Sequence, residues 1–380
     1  MEPTETIGCE KTEMGEDLAF LKSKIEEVHF DPYRNVDEQT FSQSLNRVGF
    51  VEKRYREIAI QESIALLGDA HTTVCNFRFG ELFPVRYQEI GGYFYIIGAP
   101  DIGDHVVGRE VRGINGHSIE DIVKKVKSLS SKEGPEVLLR DLAWYLQSNM
   151  ILRYYGFSDG KEVSLDTDNG QIPLKVSQKL ANNLQRLDPL KWIPTDVDDD
   201  ETYFGNPLYQ FRIFGNTLFF KYNDCTNSGY SKEYLEKFKD RLLEEARICQ
   251  TLVVDLRSND GGSTEVMWDL FERLPDDRKI YVAIGRRTFS SAMHHLLYLK
   301  NSKGATLIGE NAGQKPNRFG DSYHFTLPNS KIRMKSSFKY FELLPGQDIE
   351  VVEPDIRIPL TIEDYVNGTD PLEKWIKEMR

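Results

Sequence analysis

Hydrophobic and polar positions change period twice along the chain. Between residues 17 and 66 the apolar positions recur at helical spacing. Leu18, Leu21, Ile25 and Val28 share one face of EDLAFLKSKIEEVHF, and TFSQSLNRVGFVEKRYREIAIQESIALLG continues the pattern with Thr40 or Ser42 as its cap. After Gly68 the period shortens. FPVRYQEIGGYFYIIGAP alternates around Gly91-Gly92 and predicts a hairpin, as does KEVSLDTDNGQIPLKVS around Asn169-Gly170. Between them, REVRGINGHSIEDIVKKVKSL reads as strand, Asn-Gly turn and amphipathic helix, with Ile119, Ile122, Val123 and Val126 on the buried face. Residues 1–16 are polar and predict a disordered tail.

A second change comes after the polar stretch 181–206, which ends in DVDDDET and reads as a solvated linker. It lacks the glycine and terminal glutamate of a calcium loop. From 207 on, a hairpin at Gly215-Asn216 is followed by alternating strands and helices. TLVVDLR, KIYVAIG and ATLIGE are short apolar runs typical of strands buried on both faces, with helices between them. The alternation predicts an α/β domain with a largely parallel central sheet, whose ligands gather at the carboxyl ends of the strands. The expected divisions are a tail at 1–16, a helical region at 17–66, a β/α module at 67–180, a linker at 181–206 and an α/β core at 207–380.

Composition narrows the function classes. The formal net charge is −12, which disfavours nucleic acid as a partner. No run of about 18 apolar residues occurs, so no membrane span is expected. The first residues lack an apolar signal core, so the chain as written is expected to be cytoplasmic. The alternative is a secreted or periplasmic protein whose signal has been removed. Cys9, Cys75, Cys225 and Cys249 are widely spaced and form no zinc pattern, so no metal and no cofactor is expected.

Three loops follow the predicted parallel strands: SNDGG, RRTFSS and NAGQKPNRFG. A Gly-Gly pair can turn backbone N–H groups into a site. A serine at a helix start lies among unpaired N–H groups that favour a developing negative charge. Together they suggest an oxyanion hole beside a nucleophile. No G-x-S-x-G elbow and no Walker phosphate loop is present.

The order of LLGDAHTTV, VRGINGHSIEDI, LVVDLRSNDGG, RTFSSAMHHL, LIGENAGQKPNRFGD and EPDI resembles the serine peptidase family of C-terminal processing (tail-specific) peptidases, the tricorn core and interphotoreceptor retinoid-binding protein. The resemblance covers roughly residues 60–360. It implies a crotonase-like core of the ClpP/crotonase type, preceded by a helical segment and a small PDZ-like module. It also implies Ser291 as nucleophile, with Gly262 and Ala292 donating N–H groups to the oxyanion. Asp255, Arg257 and Asn259 would hold the loop. For the base it offers His71, from GDAHTT, and Lys315, from GENAGQK. Histidine titrates near neutrality without special burial, which favours His71 and leaves Lys315 as an auxiliary. For the carboxylate that orients the base, GQDIEVVEPDI offers Asp348, Glu350 and Glu353, and the resemblance favours Glu350, with Asp348 open. The family pattern has Glu where this chain has His294. His294 and His295 are expected to be packing or solvated bystanders.

The implied function is a serine endopeptidase that cleaves unstructured polypeptides or protein C-terminal regions through an acyl-enzyme. The alternative is an inactive peptide- or apolar-ligand-binding protein on the same fold. A polypeptide is the expected partner, and homo-oligomeric assembly is left open.

Overall fold

The computed structural model describes residues 3–75, 81–177 and 203–379. The chain divides into two compact units, 1–184 with 317–342, and 185–316 with 343–380.

In the first unit, helices Pro3–Val28, Glu38–Val48 and Arg56–Ala65 bury Leu18, Leu21, Ile25, Phe41, Leu45 and Ile60. The first helix starts at Pro3, inside the segment expected to be a tail. Its residue Met14 is buried, and Asp17 takes the N–H groups of Asn329 and Ser330 at 2.7 Å each. The cap of the second helix is Asp37, which accepts from the Thr40 N–H at 2.8 Å, rather than Thr40 or Ser42.

The expected hairpins form at Gly91-Gly92 (Arg86–Ile90 with Tyr93–Gly98) and at Asn169-Gly170 (Glu162–Thr167 with Gly170–Lys175). After the Asn115-Gly116 turn, helix Ile119–Val126 is capped by Ser118 and buries Ile119, Ile122 and Val126. The long hairpin Asn317–Thr326/Arg333–Glu342 belongs to this unit, although the sequence pattern runs the core unbroken from 207 to 380. Strand Thr73–Val74 pairs with it in antiparallel register, Thr73 opposite Lys335.

The second unit is built on a seven-stranded sheet. Its order is Ile356–Arg357, Thr306–Gly309, Lys279–Ile284, Thr251–Asp255, Thr217–Tyr222, Tyr209–Phe214 and Tyr203–Gly205. The first five strands run parallel and the last two pairings are antiparallel. Helices Lys232–Ile248, Trp268–Glu272 and Ser291–Lys303 cover one side. There Phe220, Phe238, Val254, Phe271, Val282 and Leu296 form the larger core. Phe219, Val253, Tyr281 and Ile308 face the other side, against Leu372 and Ile376 of helix Pro371–Glu378. The sheet is thus buried on both faces, as its apolar runs predict. The 181–206 linker lies almost wholly outside the described residues.

Candidate active site

The loop after strand Thr251–Asp255 is fixed from below by a buried ion network. Arg257 forks onto Asp255 (2.9 Å from both Nε and Nη2) and onto Asp370 (2.8 and 2.6 Å). Lys221 lies 3.5 Å from Asp255. Burial opposes the charge on Asp255, but Arg257 and Lys221 hold its carboxyl below the usual range. Asn259 then organises the turn. Its Oδ1 accepts from the Gly261 N–H at 2.9 Å, and its Nδ2 donates to the Tyr222 carbonyl at 3.0 Å. Asp255, Arg257 and Asn259 therefore hold the loop. Gly262 has φ +133°, and a Cβ there would lie 2.3 Å from the Cys225 carbonyl oxygen, so only glycine fits.

Ser291 is the first residue of helix Ser291–Lys303 and is nearly buried. Ser290 ahead of it has φ +54° and ψ −118°, a strained conformation for a non-glycine residue. Its N–H is held by Gln314 Oε1 at 2.8 Å, and its side chain makes no capping bond. The Ser291 hydroxyl donates to the Gly262 carbonyl at 2.6 Å. Among the described residues, the N–H groups of Gly262 and Ser291 find no acceptor. The Ala292 N–H donates to the Phe289 carbonyl at 3.1 Å. The pair of open donors is therefore Gly262 and Ser291 itself, where the resemblance implies Gly262 and Ala292.

Lys315 and Glu350 meet each other. The ammonium donates to Glu350 Oε1 at 2.6 Å, with the Glu350 side chain 62% exposed. Asp348 and Glu353 are exposed.

His71 lies in the first unit, on the loop before strand Thr73–Val74, and is buried. Its backbone N–H donates to Asp69 Oδ1 at 2.8 Å, and the Thr72 hydroxyl donates to Asp69 Oδ2. His29 Nε2 approaches Asp69 Oδ2 at 3.3 Å. Burial opposes the Asp69 charge, yet the neighbouring His29, His71 and Thr72 leave it low, at about 2. For His71, burial is the main cause of a pKa pushed down to about 3, with Lys335, Arg318 and Arg140 adding to it against the pull of Asp69. The imidazole is thus neutral at pH 7, the protonation state a general base requires.

Sequence reasoning missed Glu133. It is buried, takes the Ala70 N–H at 2.6 Å, and presents an oxygen within 4.8 Å of ligand atoms of both His71 and Asp69. Nothing in SSKEGPEV marks it, because its approach to residue 70 is a long-range contact. Three such groups could in principle hold a divalent ion, but both Asp69 oxygens already serve the GDAHTT turn. Cys75, Cys225 and Cys249 are free thiols.

No family model and no curated protein matches this sequence. Solved structures do. Mature CPAF complexed with lactacystin matches at TM-score 0.69 and 14% identity, over 98% of this chain and 98% of that one. The photosystem II D1 C-terminal processing protease matches at 0.44 and 14%, over 95% and 98%. The tricorn protease matches at 0.38 and 13%, over 90% of this chain and 34% of that one. Across nearly its whole length, the chain has the fold of CPAF.

Proposed function

We propose that the chain is a serine peptidase of the C-terminal processing and tricorn-like family, acting on unstructured polypeptides through an acyl-enzyme on Ser291. The observation that carries this reading is the start of helix Ser291–Lys303. There a strained Ser290 presents a serine hydroxyl beside two open backbone N–H groups. A hydroxyl so placed can attack a carbonyl, and the open N–H groups of Gly262 and Ser291 can take up the oxyanion. His71 takes the hydroxyl proton. The motif GDAHTT and the neutral state of the buried imidazole support this role. Lys315, bound to Glu350, is assigned to substrate contact rather than proton transfer. Glu350 remains the orienting carboxylate implied by the family motifs. The proximity of Glu133 to His71 favours a second reading, in which Glu133 has that role. The core is assigned to the crotonase-like type, and the region 106–130 to a PDZ-like substrate-positioning module.

The reaction balances without a cofactor. Ser291 Oγ bonds to the peptide carbonyl carbon, its proton passes to His71 and then to the leaving amine, and water releases the acyl group by the same route. The test is to assay wild type, Ser291→Ala and His71→Ala on unstructured peptides, with labelling by a serine-reactive phosphonate. Both variants are expected to lose activity, and the label to fall on Ser291. Full activity in either variant, or an unlabelled Ser291, would sink the assignment. Inhibition by lactacystin, the compound bound in the CPAF structure, offers a further check.

A further inference from the structure

His295 sits one helical turn below Ser291, on the same helix, and is fully buried. Rings of Tyr222, Phe271 and Trp268 surround it at centroid distances of 5.7, 5.0 and 6.1 Å. A phenylalanine would fill the same space without a polar group to bury. The imidazole also makes two polar contacts: its Nδ1 lies 3.8 Å from Cys225 Sγ, and its Nε2 stands 3.0 Å from the Thr264 carbonyl oxygen. A carbonyl only accepts, so Nε2 carries the proton, and burial keeps the ring neutral with a pKa near 4.

This bond belongs to a larger arrangement. The segment Gly262–Thr264 carries the open Gly262 N–H. On one side it is bridged to Cys225, whose N–H donates to Gly261 O at 3.0 Å and whose carbonyl accepts from the Ser263 N–H at 2.7 Å. The Cys225 thiol donates to Asn259 Oδ1 at 3.2 Å, on the acceptor that also holds the Gly261 N–H. On the other side, two side chains of one helix reach the segment. Ser291 Oγ bonds to the Gly262 carbonyl, and His295 Nε2 bonds to the Thr264 carbonyl. The first of these bonds cannot survive catalysis, because the hydroxyl must leave Gly262 to attack.

We propose that His295 is a positioning residue that keeps the oxyanion-donor segment Gly262–Thr264 seated on the nucleophile helix when the Ser291 hydroxyl turns away to react. This rests on the reading of Ser291 as nucleophile. It divides the two adjacent histidines, since His294 is only half-buried and His295 faces the core. It predicts a defect in the transition state rather than in substrate binding. Outright loss of an oxyanion donor costs on the order of 100- to 1,000-fold in kcat, and a donor that is merely loosened should cost about tenfold.

The experiment compares His295→Phe, which keeps the volume and loses the donor, with His295→Gln, which keeps an N–H donor. Each full-length variant is assayed on a peptide that wild type cleaves, and is titrated with an aldehyde of the same peptide. The aldehyde forms a tetrahedral adduct carrying an oxyanion. His295→Phe is expected to lower kcat about tenfold, with KM nearly unchanged. Aldehyde affinity should fall in parallel, and His295→Gln should restore most of both. A loss of KM and kcat together, or an aldehyde affinity that stays at the wild-type value, would overturn the proposal. Amide exchange at Ser263 and Thr264 gives a readout independent of activity. It should quicken in His295→Phe and not in His295→Gln, and equal exchange in both overturns the proposal even if the chain cleaves nothing. Failure of the nucleophile reading would show separately, as an unlabelled Ser291 in wild type.

Discussion

Replacing Asp370 by Asn tests how the loop after strand Thr251–Asp255 is anchored. Asp370 receives two hydrogen bonds from Arg257, at 2.8 and 2.6 Å, and its Oδ1 also accepts the Leu372 N–H at 2.9 Å as the cap of helix Pro371–Glu378. Its side chain is 18% exposed and that of Arg257 is 9% exposed, so solvent screens the pair weakly. Removing one member of a buried pair costs about 3–5 kcal/mol, because the remaining charge is stranded. Here Asp255 still neutralises Arg257, and Asn keeps one acceptor, so the loss should fall to about 2–3 kcal/mol. Asn caps helices as well as Asp does, so the cap itself is unchanged. Asp370→Ala loses the cap too and should cost about 1 kcal/mol more.

The pH dependence separates charge from shape. Burial opposes the Asp370 charge, but Arg257 holds the carboxyl far below its ordinary value. A carboxyl depressed in the folded state contributes stability that is present above its unfolded pKa of about 3.9 and is lost as pH falls toward the folded value. Urea unfolding of wild type and Asp370→Asn should therefore differ fully at pH 7 and progressively less below pH 4. Amide exchange in helix Pro371–Glu378 should quicken in Asp370→Asn at neutral pH. A difference under about 0.5 kcal/mol at pH 7, or one that persists unchanged at pH 2, would refute the electrostatic argument.

Gly262→Ala places a Cβ against the Cys225 carbonyl at a positive φ, and should lower kcat at least 100-fold as the oxyanion donor is displaced; unchanged kcat in a folded variant would count against Gly262 as donor. With the His71 pKa pushed down to about 3, the acid limb of kcat/KM should lie well below the pH of about 6.5 typical of histidine; a limb at 6–7 would show that the free enzyme does not hold that ring dry. The carboxylate that orients His71 is separated by comparing Glu133→Gln with Glu350→Gln. The variant that loses kcat and shifts the acid limb downward identifies the residue, and a shift in neither excludes both. Because His71 and His295 are both buried and neutral, the unfolded chain binds protons that the folded chain refuses between pH 6.5 and about 4. Stability should fall from pH 7 to pH 5, and less steeply in His295→Phe, as read from urea midpoints.

Local chemistry was the legible part of the sequence. The hairpins at Gly91-Gly92, Asn169-Gly170 and Gly215-Asn216 formed where a glycine takes positive φ, because a two-residue turn is decided by its own residues. The parallel strands showed as apolar runs because both faces of the sheet are covered. Long-range partners were hidden. The hairpin Asn317–Glu342 lies with the first unit because Thr73–Val74 pairs with its second strand, a register that no local pattern announces. Asp37 replaced Thr40 as the cap for a related reason: both residue types can cap, and only the path of the chain decides which one meets an N–H.

The candidate site divides along the same line. Motifs named the side chains Ser291, His71, Lys315 and Glu350, since each is a residue type at a spacing. They named Gly262 but put the second proposed oxyanion donor at Ala292, because a backbone N–H belongs to every residue and its freedom depends on geometry. The φ of +54° at Ser290 sends the Ala292 N–H back to Phe289 and leaves that of Ser291 open. His295 is the same case in a side chain. An apolar stripe with a histidine in it reads as packing until the carbonyl at Thr264 is found 3.0 Å away. That carbonyl lies on the segment carrying the Gly262 N–H, so the residue that looked least chemical is tied to the group on which the proposed oxyanion stabilisation depends.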